Sequence, residues 1–139
     1  MIISYNPVKF CSSEKTYTKD NHQITEHISD NGILTRRIEL DEFGRDVDVK
    51  WFDLQGNVAS NMHKDYCETA NEKGLIETFK SSFQEYTRKH YTKYEAGFKH
   101  VIDDYKSKTA PEKNYINEFI YDMQNKLVKL ISNGKVTNL

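Results

Sequence analysis

Along the first 64 or so residues the apolar and polar positions alternate with a period of two, and beyond residue 66 the apolar spacing lengthens to three and four. Period two is the signature of a half-buried strand, and a three-to-four step is that of an amphipathic helix. The first segment offers strands at Thr16–Thr18, Gln23–Ile28, Ile33–Leu40 and Arg45–Asp53, with a short last one at Val58–Met62. Turn chemistry separates them: Lys19-Asp20-Asn21-His22, Asp30-Asn31-Gly32, Asp41-Glu42-Phe43-Gly44 and Leu54-Gln55-Gly56-Asn57. Asn31-Gly32 is the strongest hairpin signal, because both residues tolerate the positive φ of a tight primed turn. These features predict an antiparallel meander of four or five strands.

Beyond residue 66, Thr69-Ala70-Asn71-Glu72 fits a capping box, and Ile76, Phe79, Phe83, Tyr86, His90, Tyr94, Phe98, Val101 and Tyr105 follow at helical steps. The spacing predicts one long helix, bent near Gly97. Thr109-Ala110-Pro111-Glu112 reads as a second capping box with proline in the first turn. Ile116, Phe119, Ile120, Met123, Leu127, Leu130 and Ile131 then outline a second helix that Gly134 would stop. The expected fold is α+β: a single domain with a hairpin sheet over 1–66 and two long antiparallel helices over 67–139, packed on one face of the sheet. In the strand Arg45–Asp53, Val47, Val49 and Trp51 would face the core, and Asp46, Asp48 and Lys50 would face water.

Composition adjusts this picture modestly. A chain of 139 residues is near the commonest domain size, and its mean hydropathy of -0.80 is offset by nine Tyr, seven Phe and one Trp, whose rings carry large apolar area. The net charge is -1, which removes the strong global field of many nucleic-acid binders. Residues 1–66 hold eight basic against eleven acidic residues (8 - 11 = -3), and the remainder twelve against ten (12 - 10 = +2). Cys11 and Cys67 are far apart, the first residues lack a long apolar run, and no stretch reaches membrane-spanning length. A cytoplasmic protein with reduced thiols and no membrane contact is the expectation, with a Cys11–Cys67 disulfide the minority alternative.

Chemistry-bearing residues concentrate in two places. Asp41, Glu42, Asp46, Asp48 and Asp53 form an acidic hairpin surface suited to a basic protein partner. Arg88, Lys89 and Lys93, with Tyr91 as a stacking ring, form a basic face that could meet phosphates or an acidic partner. Asp48-Val49-Lys50 resembles the Asp/Glu-x-Lys half of the PD-(D/E)xK nuclease signature, with Asp41 as upstream acid. That resemblance covers about ten residues and implies two carboxylates holding a divalent metal and a lysine polarising the attacking water. It departs from the pattern in having no proline before Asp41 and hairpins where flanking helices belong. Asp41-Glu42-Phe43-Gly44-Arg45 and Phe52-Asp53-Leu54-Gln55-Gly56-Asn57 resemble the tyrosine-aspartate repeats of bacterial Rhs-type proteins, which implies hairpins, with no further copy of the spacing in the chain.

The histidines form no compact ligand motif. His63 and Cys67 would supply only two zinc ligands, and then only from a helix. Ser12-Ser13 and Ser81-Ser82 lack a neighbouring base, and the glycines form no phosphate loop, so no cofactor is expected. The reading that results is a protein-binding module of bacterial or phage type that occludes a partner, as an immunity protein, antitoxin or inhibitor does, and not an enzyme. The metal-dependent nuclease and the nucleic-acid binder are its alternatives, and the long apolar stripe would also serve a homodimer.

Overall fold

The structure, a computed structural model, describes residues 13–69 and 71–139. Cys11 and Ser12 lie outside the described residues. The described chain consists of eleven strands: β1 (Ser13–Lys19), β2 (His22–Ile28), β3 (Leu34–Leu40), β4 (Asp46–Phe52), β5 (Val58–Glu68), β6 (Glu72–Ser81), β7 (Glu85–Glu95), β8 (Phe98–Ser107), β9 (Tyr115–Tyr121), β10 (Leu127–Ser132) and β11 (Lys135–Asn138). It divides into two compact units, Met1–His63 and Lys64–Leu139. In the first, β1 to β4 and the start of β5 pair antiparallel in chain order; in the second, β6 to β11 do the same.

This corrects the α+β expectation. Among the described residues there is no α-helix, only a single 3-10 turn at Pro111–Lys113, and the strands number eleven. The expected first helix is β6, β7 and β8; the expected second is β9 and β10. Thr69 and Glu72 do pair, but as a turn between β5 and β6, with the Thr69 N–H donating to the Glu72 carbonyl at 2.7 Å. The second box survives only as the 3-10 turn, with Pro111 where its missing N–H costs nothing.

Two turn chemistries account for seven of the connections between strands. The hairpins β1–β2, β7–β8 and β10–β11 close through two residues at positive φ: Asp20-Asn21 (51° and 64°), Ala96-Gly97 (53° and 81°) and Asn133-Gly134 (49° and 84°). These are primed turns, and their ladders run without a register shift. Four other hairpins share a five-residue device starting at Ser29, Asp41, Asp53 and Asp122. In each, the first N–H donates to the carbonyl of the fifth residue, and the N–H of the fourth to the carbonyl of the first, at 2.8–3.1 Å. The fourth residue alone has positive φ (Gly32, Gly44, Gly56, Asn125), and the adjoining ladder shifts register. This is a type I turn followed by a bulge. Asn31-Gly32 belongs to this class and not to the primed turns, since only Gly32 has positive φ. The starts at 29, 41 and 53 recur at equal spacing, and Asp122 adds a copy, so the turn spacing does repeat in the chain.

Burial is spread thinly. Ile24 is 1% exposed, with Tyr17 and Glu39 opposite it on neighbouring strands. Ile102 lies between Tyr91 and Glu118, and Ile120 between His100 and Lys129. These three are the buried apolar residues of the described chain; most strand residues on either face are half-buried. Cohesion comes from cross-strand pairs, each contributing about 0.2–1 kcal/mol.

Candidate functional site

Opposed residues of paired strands project to the same face, so the ladders define the side-chain arrays. On β4, Asp46, Asp48, Lys50 and Phe52 share one face and Val47, Val49 and Trp51 the other. The expected orientation is reversed for Asp48, which at 8% exposure is more buried than Val49. It stands opposite Glu39 of β3 and His63 of β5. Two carboxylates face to face repel, and the surrounding donors answer that repulsion. Lys50 Nζ donates to Asp48 Oδ2 at 2.6 Å, Asn61 Nδ2 donates to Oδ1 at 3.1 Å, and His63 Nδ1 lies 3.2 Å from Oδ1. Glu39 has His22 Nδ1 at 2.7 Å and Arg37 Nη1 at 3.4 Å. Burial pushes the Asp48 carboxyl up, but the hydrogen bonds from Lys50, Asn61 and His63 and the Lys50 charge outweigh it and hold the carboxyl below its usual value. The hydrogen bond with His22 does the same for Glu39, against burial and with help from Arg37.

The other acidic candidates are not gathered with Asp48. Asp41 and Asp53 occupy the first positions of two turns at opposite ends of β4, where Oδ1 of each accepts two backbone N–H groups: from Phe43 and Arg45 at 2.9 and 3.0 Å, and from Gln55 and Asn57, both at 2.9 Å. Arg45 Nε donates to Asp41 Oδ2 at 2.8 Å. Burial raises the Asp41 carboxyl, and the Arg45 and Phe43 hydrogen bonds bring it below its ordinary value. Glu42 is exposed at a turn tip, and Asp46 shares the Asp48 face. Asp41, at the turn, and Asp48, on the face of β4, each accept hydrogen bonds from their own protein donors, Lys50 among those of Asp48.

In the second unit the basic candidates divide between the two faces of β7. Arg88 lies on one face, opposite Glu77 and Tyr105; Lys89, Tyr91 and Lys93 lie on the other. Arg88 forms a bidentate pair with Asp103, Nε to Oδ1 and Nη2 to Oδ2, both at 2.9 Å. That hydrogen bond holds Asp103 below its usual range against burial and raises Arg88 further above neutrality. Lys89 faces Asp104 across the ladder, and Lys93 Nζ is 3.6 Å from Glu95. Beside Arg88 runs a ladder of four rings: Phe79–Tyr86 at 5.5 Å, Tyr86–Tyr105 at 5.3 Å and Tyr105–Tyr115 at 5.4 Å between centroids. The two outer contacts are stacked, at interplanar angles of 19° and 12°, and the middle one is tilted at 34°, so each ring packs against its neighbour across the strands. Tyr86 donates to Glu77 at 2.9 Å, and burial with that bond pushes its phenol up to about 12. Tyr115 donates to Asp103 at 3.2 Å, and burial followed by the Asp103 charge raises its phenol as well.

His63 and Cys67 both lie on the strand β5, not on a helix whose spacing would bring them to one face. Among the described residues no group of three or more His, Cys, Asp or Glu is placed to hold a metal, and no helix is long and apolar enough to cross a membrane. A feature the sequence reading passed over lies between the β7–β8 and β9–β10 turns: a cleft of about 460 Å³ lined by Tyr94, Glu95, Phe98, Lys99, Asp122 and Met123 among others. Lys99 Nζ donates to Asn125 Oδ1 at 2.5 Å and sits 4.6 Å from the Tyr121 ring centroid.

Comparison with protein-family models, curated proteins and solved structures finds no significant match to this chain.

Proposed function

We propose that this protein is a protein-binding module that acts by occluding a partner surface, in the manner of an immunity protein, antitoxin or inhibitor. The observation that carries the reading is the state of the charged side chains. Glu39, Arg88 and Asp103 on the strands and Asp41 and Asp53 at the turns are held by neighbours at hydrogen-bond distance. Side chains fixed before contact lose little entropy on association, which favours recognition of another folded surface. The acidic turn residues and the divided basic residues Arg88, Lys89 and Lys93 are then separate contact regions, each able to contribute to association rate through complementary charge.

The test is recovery of tagged full-length protein from its source cells at low salt, followed by mass spectrometry and size-exclusion chromatography. One protein partner in fixed stoichiometry, whose binding to the purified protein is reproduced with the two components alone, is the expected result. Recovery of the protein alone, or with nucleic acid that nuclease removes, would overturn the reading. Nucleic acid would also show a steep decline of affinity with salt.

A further inference from the structure

Strand β11 has a neighbour on one side only. Among the described residues it pairs with β10 alone, and all four of its residues are exposed. The ladder decides which backbone groups are already committed. Leu139 donates its N–H to the Val128 carbonyl at 3.0 Å, and antiparallel pairs alternate between bonded and non-bonded, so Lys135, Thr137 and Leu139 turn their backbone groups to β10. Val136 and Asn138 turn theirs outward, and a row of outward N–H and C=O groups is a template for a further strand.

Charge decides which strand fits. From residue 123 to 139 the chain carries Lys126, Lys129 and Lys135 and no Asp or Glu, in a protein whose net charge is -1. None of the three ammonium groups forms an ion pair among the described residues. The carboxylates nearest in register are engaged elsewhere: Glu118 has His100 Nδ1 at 2.7 Å, and Asp122 Oδ1 accepts the Gln124 and Lys126 N–H groups at 2.9 and 3.0 Å. A second copy pairing through β11 would bring two lysine-bearing, acid-free hairpins together, and lysines are a usual means by which an edge strand avoids its own kind. An acidic strand meets no such repulsion and gains from the same charges.

The side chains add a second requirement. Glu118, Ile131 and Val136 oppose one another in one row, and Ile116, two residues from Glu118 on β9, shares their face. Val136 is 49% exposed and Ile116 47%, so that face offers apolar contact beside Lys129, while Lys135 and Thr137 lie on the other face. Main-chain hydrogen bonds supply affinity in strand addition, and alternate side chains supply specificity. We propose that the β11 edge is a strand-addition site for an acidic, extended segment of a partner protein, antiparallel to β11, with an apolar residue beside Val136 and a carboxylate beside Lys135. The proposal rests on the protein-binding reading and gives it a contact of defined register.

The test uses the labelled full chain and acetyl-Gly-Glu-Thr-Val-Glu-Gly-amide at up to about 5 mM, which reaches sites of millimolar affinity. Amides of residues 126–138 are expected to shift. Hydrogen exchange at the Val136 and Asn138 N–H groups should slow several-fold, with no change at Thr137, which already faces β10. The counterpart with lysine for glutamate should leave these amides in place, the glutamine counterpart should bind more weakly than the glutamate peptide, and added salt should weaken the effect. Lys135→Glu should lower affinity for the glutamate peptide about three- to fivefold, the scale of a surface ion pair. Val136→Pro removes an outward N–H and no bond to β10, so it should keep the fold and abolish binding. No shift, equal responses to the three peptides, shifts mapping elsewhere, unchanged exchange at Val136 and Asn138, or a short oligothymidylate that shifts the same amides in preference to the glutamate peptide would overturn the site. The two ideas fail separately: a natural partner that binds Lys135→Glu and Val136→Pro unchanged sinks the edge site and leaves the binding module standing, while absence of any partner sinks the module.

Discussion

Asp48 holds its charge in a half-dry setting because three donors converge on it, and that arrangement makes acid the agent that undoes it. Its folded carboxyl titrates below the ordinary value, as does Glu39, so between the folded and unfolded pKa values the unfolded chain binds more protons. The associated stability is fully present above the unfolded value, about 3.9 for Asp and 4.3 for Glu. It is lost as pH falls through the folded values. Asp48→Asn keeps the shape but not the charge. It should destabilise by about 1–3 kcal/mol at about pH 7 and by much less at about pH 3, giving a shallower acid limb than the wild type. Urea denaturation at both pH values measures this, and parallel limbs would contradict it. For Tyr86 the sign is opposite: a raised phenol pKa stabilises at pH values below the unfolded value, about 10, and the contribution disappears as pH passes about 12. A difference titration of phenolate absorbance against Tyr86→Phe should show one tyrosine ionising near 12, with Glu77→Gln moving it down; ionisation at the ordinary value would refute the Glu77 contact.

At the scale of elements, the rings that appear to trace a helix are distributed over strands. Ile76, Phe79, Tyr86, Tyr94, Val101 and Tyr105 fall at steps of three or four, or at sums of two such steps, only when read along one continuous rod. On β6, β7 and β8 the register puts Phe79, Tyr86, Tyr94, Val101 and Tyr105 on one face and Ile76 on the other, and both faces are half-buried. A two-sided sheet does not enforce apolar-in, polar-out alternation, so period two fades and a helical period emerges by chance. The signals for strands were present in the Thr, Tyr, Val and Ile content of these segments and in the turn pairs Ala96-Gly97 and Asn133-Gly134. The hairpins from β1 to β4 were legible because their turns carry Asn, Asp and Gly. The site was less so. Counting register back from the Asp41 turn would set Glu39 opposite Val47, and only the one-residue shift beyond Leu40 brings it to Asp48, while the ring ladder and the β7–β10 cleft depend on pairings that a helical reading hides. Two substitutions probe the strand assignment. In Gly74→Ala the new methyl would lie 2.9 Å from the Tyr91 Cβ, directly across the ladder, so the strands must part; a loss of about 1–3 kcal/mol is expected in thermal or urea unfolding. A double-mutant cycle of Tyr86→Leu and Tyr105→Leu should return a coupling of about 0.5–1.5 kcal/mol, and additivity would mean the two rings do not stabilise one another.

For the whole molecule the consequence of thin burial is thermodynamic. The heat-capacity change of unfolding follows the apolar surface that becomes exposed, and ordinary globular domains show about 12–15 cal/mol/K per residue. Here the buried apolar residues of the described chain are Ile24, Ile102 and Ile120, while Phe43, Leu54, Phe83 and Met123 remain exposed in the folded state. Half-buried strand residues release less apolar area each than core residues do, and polar groups on both faces offset part of the positive contribution. Differential scanning calorimetry, summed over all transitions, should therefore give a heat-capacity change per residue below about 12 cal/mol/K. The stability curve should be correspondingly flat, with warming and cooling changing stability less than in a protein built around a central core. A value within the ordinary range would mean that apolar surface is buried well beyond what the strand faces account for. Far-ultraviolet circular dichroism on the same sample provides the companion reading: a strand-type spectrum without the double helical minimum, against which a strong helical signal would count directly.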